Sequence, residues 1–185
     1  VMFTQTHEGF IHAFLLSQPF GGTAANPGTP SGAKWLEEIW AIAPQHAVRR
    51  MKELGTKRLE LTDGRMVLKD IRLARSNAAT TAAQVSAEVD QWRSVLVAPY
   101  RQGGRGMIAI DVTNPYKPFV RWEIDNTRRC YLDSASIYTC KDAASGDEND
   151  YSNLGFTHGK PVVGTVFIDN PDGVGQIEVA AAFYG

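Results

Sequence analysis

One pattern of strands occurs twice in this chain and limits the folds that it can adopt. Val1–Phe14 predicts a strand, a polar turn with glycine and a second strand, and the chain then reaches Trp40 in a third strand. Val95–Asp111 predicts the same order around a Gly-rich turn, and the chain then reaches Trp122 in a third strand. Repeated units of four antiparallel strands are typical of propeller blades. We therefore predict an all-β fold that contains part of a β-propeller.

Turn signals and β-rich runs predict further strands in the rest of the chain. Further strands are predicted at Lys34–Ala43, Lys57–Leu61, Arg65–Leu73, Trp92–Ala98, Gly106–Thr113, Phe119–Asp125, Pro161–Ile168 and Gln176–Tyr184. The predicted units are a partial blade at 1–43, a helical insertion at 44–56, the next blade at 57–125, a long loop insertion at 126–160 and the start of a following blade at 161–185. These units represent about two to three blades, whereas a propeller has at least about four. The whole chain, 1–185, is therefore predicted to be a segment of a larger one.

Helices and long loops are predicted only as additions to the strands. Pro44–Leu54 has apolar residues at helical spacing, begins with proline and is followed by glycine, which predicts one short helix. Thr80–Asp90 is Ala-rich and is either a helix or a loop. Ser17–Gly32 and Arg128–Asn153 are polar and predicted to be long loops, which are usually functional or flexible.

Charge and hydropathy exclude several classes of protein. The 185 residues include 19 Lys and Arg and 20 Asp and Glu, so the net charge is -1. The chain therefore lacks the excess of positive charge that is typical of nucleic-acid-binding proteins. The basic stretch 49–58 is a solvated face or a docking surface for an acidic partner. No apolar run reaches the roughly 18 residues of a membrane span. Because the chain begins without Met and has no signal-peptide pattern, we expect it to start after a cleavage or inside a longer chain.

Cys130 and Cys140 are the only cysteines, and they flank the short segment Tyr131–Thr139, which is typical of a surface excursion. A disulfide closing such a loop would stabilise the fold by roughly 3 kcal/mol in the chain-entropy model. The alternative is two unrelated thiols in a reducing compartment. We favour the disulfide, which implies an oxidising, exported setting. A zinc site is not expected, because no second pair of Cys or His has ligand spacing.

Acidic residues cluster in the second long loop, where oxygen atoms could bind a hard cation. The candidate ligands are Asp142, Asp147, Glu148 and Asp150. The spacing of a calcium loop is absent, so a solvated acidic loop is favoured by about four to one and these residues are weak metal candidates. The turn sequence 169–173 is interpreted as a tight hairpin turn rather than a metal site, because its proline occupies a ligand position.

The remaining glycines, histidines and tryptophans that could serve a binding site are mostly interpreted as residues of turns, strands, loops or blade packing. Gly103–Gly106 is predicted to form a hairpin turn rather than a phosphate loop, because no helix follows it. The histidines are dispersed and are interpreted as ordinary strand or loop residues: His7, His12, His46 and His158. Tryptophans can stack on sugar rings, as in a lectin. Trp40 and Trp122 occupy matching repeat positions and are interpreted as blade packing, whereas Trp35 and Trp92 are freer to be exposed.

Four segments, in order, resemble the C-terminal β-propeller of the PilC/PilY family of type IV pilus tip adhesins and biogenesis factors. They are His7–Phe14, Glu37–Pro44, Trp92–Val97 with Gly103–Pro115, and Leu154–Gly164. The third segment is similar to the family pattern W-R-T-V-L-V followed by a Gly-rich turn and A-L-D-V-T-D-P. Together these segments cover most of the chain. The sequence departs from the family pattern after the turn Thr62–Gly64 and at Pro99–Arg101, where the family has small residues.

The resemblance implies a large, non-enzymatic exported protein of the periplasm, outer membrane surface and pilus tip. Its expected partners are minor pilins, the pilus fibre and a ligand on a host or abiotic surface, with roles in adhesion and motility. It also implies calcium binding, with the calcium loop expected beyond Gly185, so no calcium ligand is assigned to this chain and no other cofactor is expected. Two alternatives remain: a quinoprotein-type dehydrogenase, which shares this kind of propeller, and an exported propeller scaffold of unrelated role.

Overall fold

A computed structural model of the chain describes residues 1–16, 36–72, 74–76, 92–132, 137–142, 151–170 and 174–184. These residues are mostly β-strand, with one short α-helix, α1 (Gln45–Arg50), that continues into a 3-10 turn at Met51–Glu53. The all-β class and the short helix after Pro44 are thus confirmed. None of the helices in the described ranges is long and apolar enough to cross a membrane.

The described strands form three antiparallel sheets. The first sheet has the order β1 (Met2–Gln5), β2 (Ile11–Phe14), β3 (Glu38–Ile42). The central sheet has six strands in the order β10 (Tyr138–Asp142), β9 (Arg128–Leu132), β8 (Phe119–Asp125), β7 (Gly106–Asp111), β6 (Trp92–Pro99), β4 (Val67–Arg72). The third sheet has the order β11 (Val162–Asp169), β12 (Gln176–Phe183), β5 (Ala74–Ser76).

The predicted repeat is visible in the strand register of the first and central sheets. Ala13 of β2 lies opposite Trp40 of β3, and the register shifts directly after this alanine. Ala109 of β7 lies opposite Trp122 of β8, and the register again shifts directly after the alanine. Each tryptophan therefore occupies the third strand of a meander, beside a bulge at the same position. The two meanders therefore share this local strand register.

The central sheet is packed on both faces, because successive side chains of a strand point to opposite sides. Leu96 and Ala98 of β6 belong to a buried cluster that includes Ile11 of the first sheet and has Trp40 packed against it. Val95 and Val97 belong to a second cluster on the other face, against which residues of the third sheet pack, such as Val163 and Ala182. The central sheet thus lies between the first and third sheets, with an apolar layer in each gap.

Two predictions about local structure are wrong. Lys57–Leu61 is not a strand: Leu61 is fully buried and its N–H donates to the carbonyl of His7 at 2.8 Å, so the segment anchors a turn instead of joining a sheet. Arg128–Asn153 is not one loop, because its first part forms the hairpin β9–β10 at the edge of the central sheet. The predictions for Ser17–Gly32 and Thr80–Asp90, and the position of Trp35, lie outside the described residues.

Candidate functional site

Helix α1 is attached to the central sheet through a buried carboxylate, that of Glu123 on β8. Glu123 is 4% exposed. One of its oxygens accepts the N–H of Gln45 at 2.9 Å, and the other accepts the N–H of His46 at 2.9 Å. The first N–H groups of a helix have no partner within the helix, and a carboxylate there also interacts favourably with the helix dipole. Glu123 therefore caps α1 from a neighbouring sheet.

A second buried carboxylate, Asp125, lies two residues further along β8. One of its oxygens accepts from the N–H of Thr127 at 2.7 Å and from the N–H of Arg128 at 2.9 Å. The other oxygen is paired with the guanidinium of Arg49 and lies 3.8 Å from Nδ1 of His46. Burial opposes ionisation, but the contacts with His46, Thr127 and Arg49 outweigh it and hold the pKa of Asp125 well below its usual value.

His46 connects the helix to the Gly-rich turn between β6 and β7. Its ring is stacked on that of Tyr100, with centroids 4.9 Å apart, and its Nε2–H donates to the carbonyl of Gly103 at 2.8 Å. A Cβ atom at Gly104 would lie only 2.3 Å from Nε2 of His46, so the close approach requires glycine. Burial and the nearby carboxylates of Glu123 and Asp125 raise the pKa of Tyr100 well above its ordinary value. Gly103–Gly106 thus acts as a packed turn.

In the structure, Cys130 and Cys140 are directly opposite each other in the β9–β10 hairpin and are joined by a disulfide bond of 2.10 Å. Oε1 of Gln45 lies 3.8 Å from both sulfur atoms. The disulfide therefore lies beside the start of α1, on the same face of the central sheet as Glu123, which is the cross-strand neighbour of Cys130. The helix, the buried carboxylates and the disulfide form one packed unit.

The candidate metal ligands are not brought together in the described residues. Asp142 lies at the end of β10, and its carboxylate is paired with Nε of Arg128 at 3.0 Å. Asp147, Glu148 and Asp150 lie outside the described residues. Asp169 ends β11, and the N–H of Asn170 donates to the carbonyl of Gly175 at 2.8 Å across the turn.

One grouping of possible metal ligands joins a histidine to two acidic residues from a distant part of the chain, so no local spacing signals it. Ligand atoms of His7, Glu60 and Asp63 lie within 4.8 Å of one another. The carboxylate of Asp63 is, however, paired with Arg101 at 2.9 Å and accepts the N–H of Gln102 at 3.2 Å. His7 is 67% exposed. Ion pairs and a turn therefore account for this grouping.

The other tryptophans and histidines have identifiable contacts. Nε1–H of Trp40 donates to the carbonyl of Pro115 at 2.7 Å and so joins the first sheet to the central one. Trp92 is half-exposed beneath the guanidinium of Arg72. Nδ1 of His12 lies 2.8 Å from the carboxylate of Glu38 on the neighbouring strand. His158 lies beside the ring of Phe156.

The chain is 30% identical, over 126 residues, to a type IV pilus biogenesis factor PilY1 homolog of Xylella fastidiosa strain Temecula1. The chain is similar to a pilus biogenesis factor. The match covers 66% of this chain and 8% of the relative, so the chain spans a small part of that protein's length. No family model matches the chain, and no solved structure matches it significantly.

Proposed function

We propose that this chain is a section of an exported, non-enzymatic type IV pilus assembly factor that also supports surface attachment and motility. The observation that carries this proposal is the 30% identity over 126 residues to a protein named as a pilus biogenesis factor. The family resemblance of the four sequence segments agrees with it. The minor pilins and the pilus fibre are the proposed partners, and calcium binding is assigned to another part of the protein.

The proposed architecture is a section of a β-propeller, in which blades are antiparallel meanders packed face to face around an axis. Two observations support it. The first and central sheets share the same meander, with an alanine opposite a tryptophan and a register shift after the alanine. The three sheets also pack one on another, with apolar clusters between neighbours.

The outward face of the third sheet supports a larger propeller. Val163 and Ala182 pack toward the central sheet, so the residues that alternate with them face away from it. These outward residues are all apolar: Val162, Gly164, Val166, Ile168, Ile177, Val179 and Ala181. Val162 is 65% exposed and Ile168 is 42% exposed. Contiguous apolar surface of this kind usually marks an interface, and we propose that a further sheet of the same protein covers it.

The disulfide supports the proposed exported location. Disulfides persist in oxidising compartments and are rare where thiols are kept reduced. The Cys130–Cys140 bond closes the outer hairpin of the central sheet and lies against Gln45. A protein that assembles in the periplasm and acts at the cell surface would form this bond during export.

The experiment that tests this proposal counts surface pili in a strain without the gene and in strains complemented with variants. We expect the deletion to lose pili and surface motility, and the wild-type gene to restore both. Val179→Asp places a charge on the outward face of the third sheet and should fail to restore pili. Val174→Asp is the matched control, because Val174 is fully exposed, at 103%, and should restore them. Normal pili in the deletion strain would refute the proposed function.

A further inference from the structure

An open groove of about 580 Å³ lies between the outer strands of the central sheet and strand β12 of the third sheet. Trp122 of β8 and Tyr131 of β9 are cross-strand neighbours on its floor, and Tyr151, Phe183 and Tyr184 also line it. Pockets of 300 to about 1,000 Å³ with aromatic walls are typical of small-ligand sites. The aromatic rings give this groove flat apolar surfaces on more than one side.

One cation lines the groove, and a second lies opposite it on the neighbouring strand. Arg129 lines the groove, and its guanidinium carbon is 5.3 Å from the centroid of the Tyr131 ring. Lys141 lies directly opposite Arg129 in the β9–β10 ladder and is exposed. Like charges at such a position are unfavourable, and no acidic side chain pairs with either residue in the part of the chain that the structure describes. The neighbouring Arg128, on the opposite face, is by contrast paired with Asp142 at 3.0 Å.

These features define the chemistry of a ligand. A carboxylate would relieve the repulsion between the two cations, and arginine binds carboxylates through two parallel hydrogen bonds. Contact with Tyr131 holds the guanidinium in place before binding, which lowers the cost of ordering it. The apolar faces of a sugar ring pack well on aromatic rings. Strands β8 and β9 are internal and paired on both sides, so this wall of the groove has no open backbone for a peptide strand.

We propose that this groove binds an acidic sugar, with the carboxylate of a uronic acid residue between Arg129 and Lys141 and its ring against Tyr131 and Trp122. The site faces the third sheet, whereas α1 is attached through Glu123 to the opposite face of the central sheet; Cys130 of the disulfide also lines the groove. The proposal does not depend on the proposed role in pilus assembly, because it rests only on the groove and its charges.

The test is a calorimetric titration of the full-length protein with three probes. Hyaluronan tetrasaccharide contains glucuronate, chitotetraose is its neutral counterpart, and a hexaglutamate peptide carries carboxylates without sugar rings. We expect the hyaluronan fragment to bind at least about tenfold more tightly than chitotetraose, because one charge-assisted pair is lost with the neutral sugar. Binding should weaken as salt is added.

Two variants assign the binding to this groove. Arg129→Gln should weaken binding of the hyaluronan fragment by about tenfold or more, whereas Arg128→Gln, which removes the adjacent arginine from the opposite face, should change it by less than about twofold. Lys141→Gln provides a second variant at an exposed position and should also weaken binding. Absence of binding at millimolar sugar, equal losses in the two arginine variants, or tighter binding of hexaglutamate than of the sugar would each overturn the proposal.

Discussion

The attachment of α1 to the central sheet predicts a specific effect of removing the charge of Glu123. Its carboxylate accepts two backbone N–H groups, of Gln45 and His46, each at 2.9 Å, while the side chain is 4% exposed. Glu123→Gln keeps the shape but leaves one acceptor oxygen, and its amide NH₂ would face a backbone N–H. Loss of one hydrogen bond to a buried charged group costs about 2 kcal/mol.

Urea unfolding of the chain should therefore show Glu123→Gln to be less stable than the wild type by about 2 kcal/mol, with a thermal midpoint lower by roughly 4 to 8 °C. The amides of Gln45 and His46 should exchange with solvent faster than in the wild type, because each loses an acceptor or shares the remaining one. Glu8→Gln is the control, since Glu8 is exposed. A Glu123→Gln chain within about 0.5 kcal/mol of the control, with unchanged amide exchange, would refute the capping role.

Three further predictions concern the same unit. Folding lowers the pKa of Asp125, so the stability that this residue provides is present above its unfolded pKa of about 3.9 and is lost as the pH falls below that value. Urea midpoints measured from pH 5 to pH 2 should therefore fall more steeply for the wild type than for Asp125→Asn. Parallel curves for the two proteins would contradict this prediction. Gly104→Ala should destabilise the chain by roughly 1 to 3 kcal/mol in urea unfolding, because the added Cβ would lie 2.3 Å from the His46 ring. Gly155→Ala is the control and should have little effect, because no atom lies within 4 Å of a Cβ added there. Reduction of the Cys130–Cys140 bond should lower the free energy of unfolding by about 3 kcal/mol, and an unchanged urea midpoint in reductant would show that the bond does not constrain the chain.

The strands that the sequence predicts well are those with an apolar residue at every second position or a continuous apolar run between turn signals. Gly106–Asp111 is buried along its whole length, and both of its ends are marked by glycine or by a polar turn. The matching positions of Trp40 and Trp122 were also readable, because each follows two short strands in the same order. The structure adds what spacing does not contain, namely that each tryptophan lies opposite an alanine next to a bulge.

The functional details were harder to predict because they depend on contacts between distant segments. Strands β9 and β10 contain mostly polar and half-exposed residues, so only the two cysteines signalled that this segment is ordered. Glu123 alternates with apolar residues on β8 and has the pattern of a solvated position, yet it is buried beneath the start of a helix 78 residues earlier in the chain. The groove beside Arg129 likewise requires the position of β12, which no local pattern gives.

The central claim is that the three stacked sheets are a section of a β-propeller in a longer pilus assembly factor. The most direct test is a cryo-electron microscopy structure of the full-length protein, examined at the outward face of the third sheet around Val166 and Val179. We predict a further β-sheet of the same chain packed on that face, with the first, central and third sheets in the order described. A face open to solvent, or covered by a second copy of the protein, would contradict the propeller.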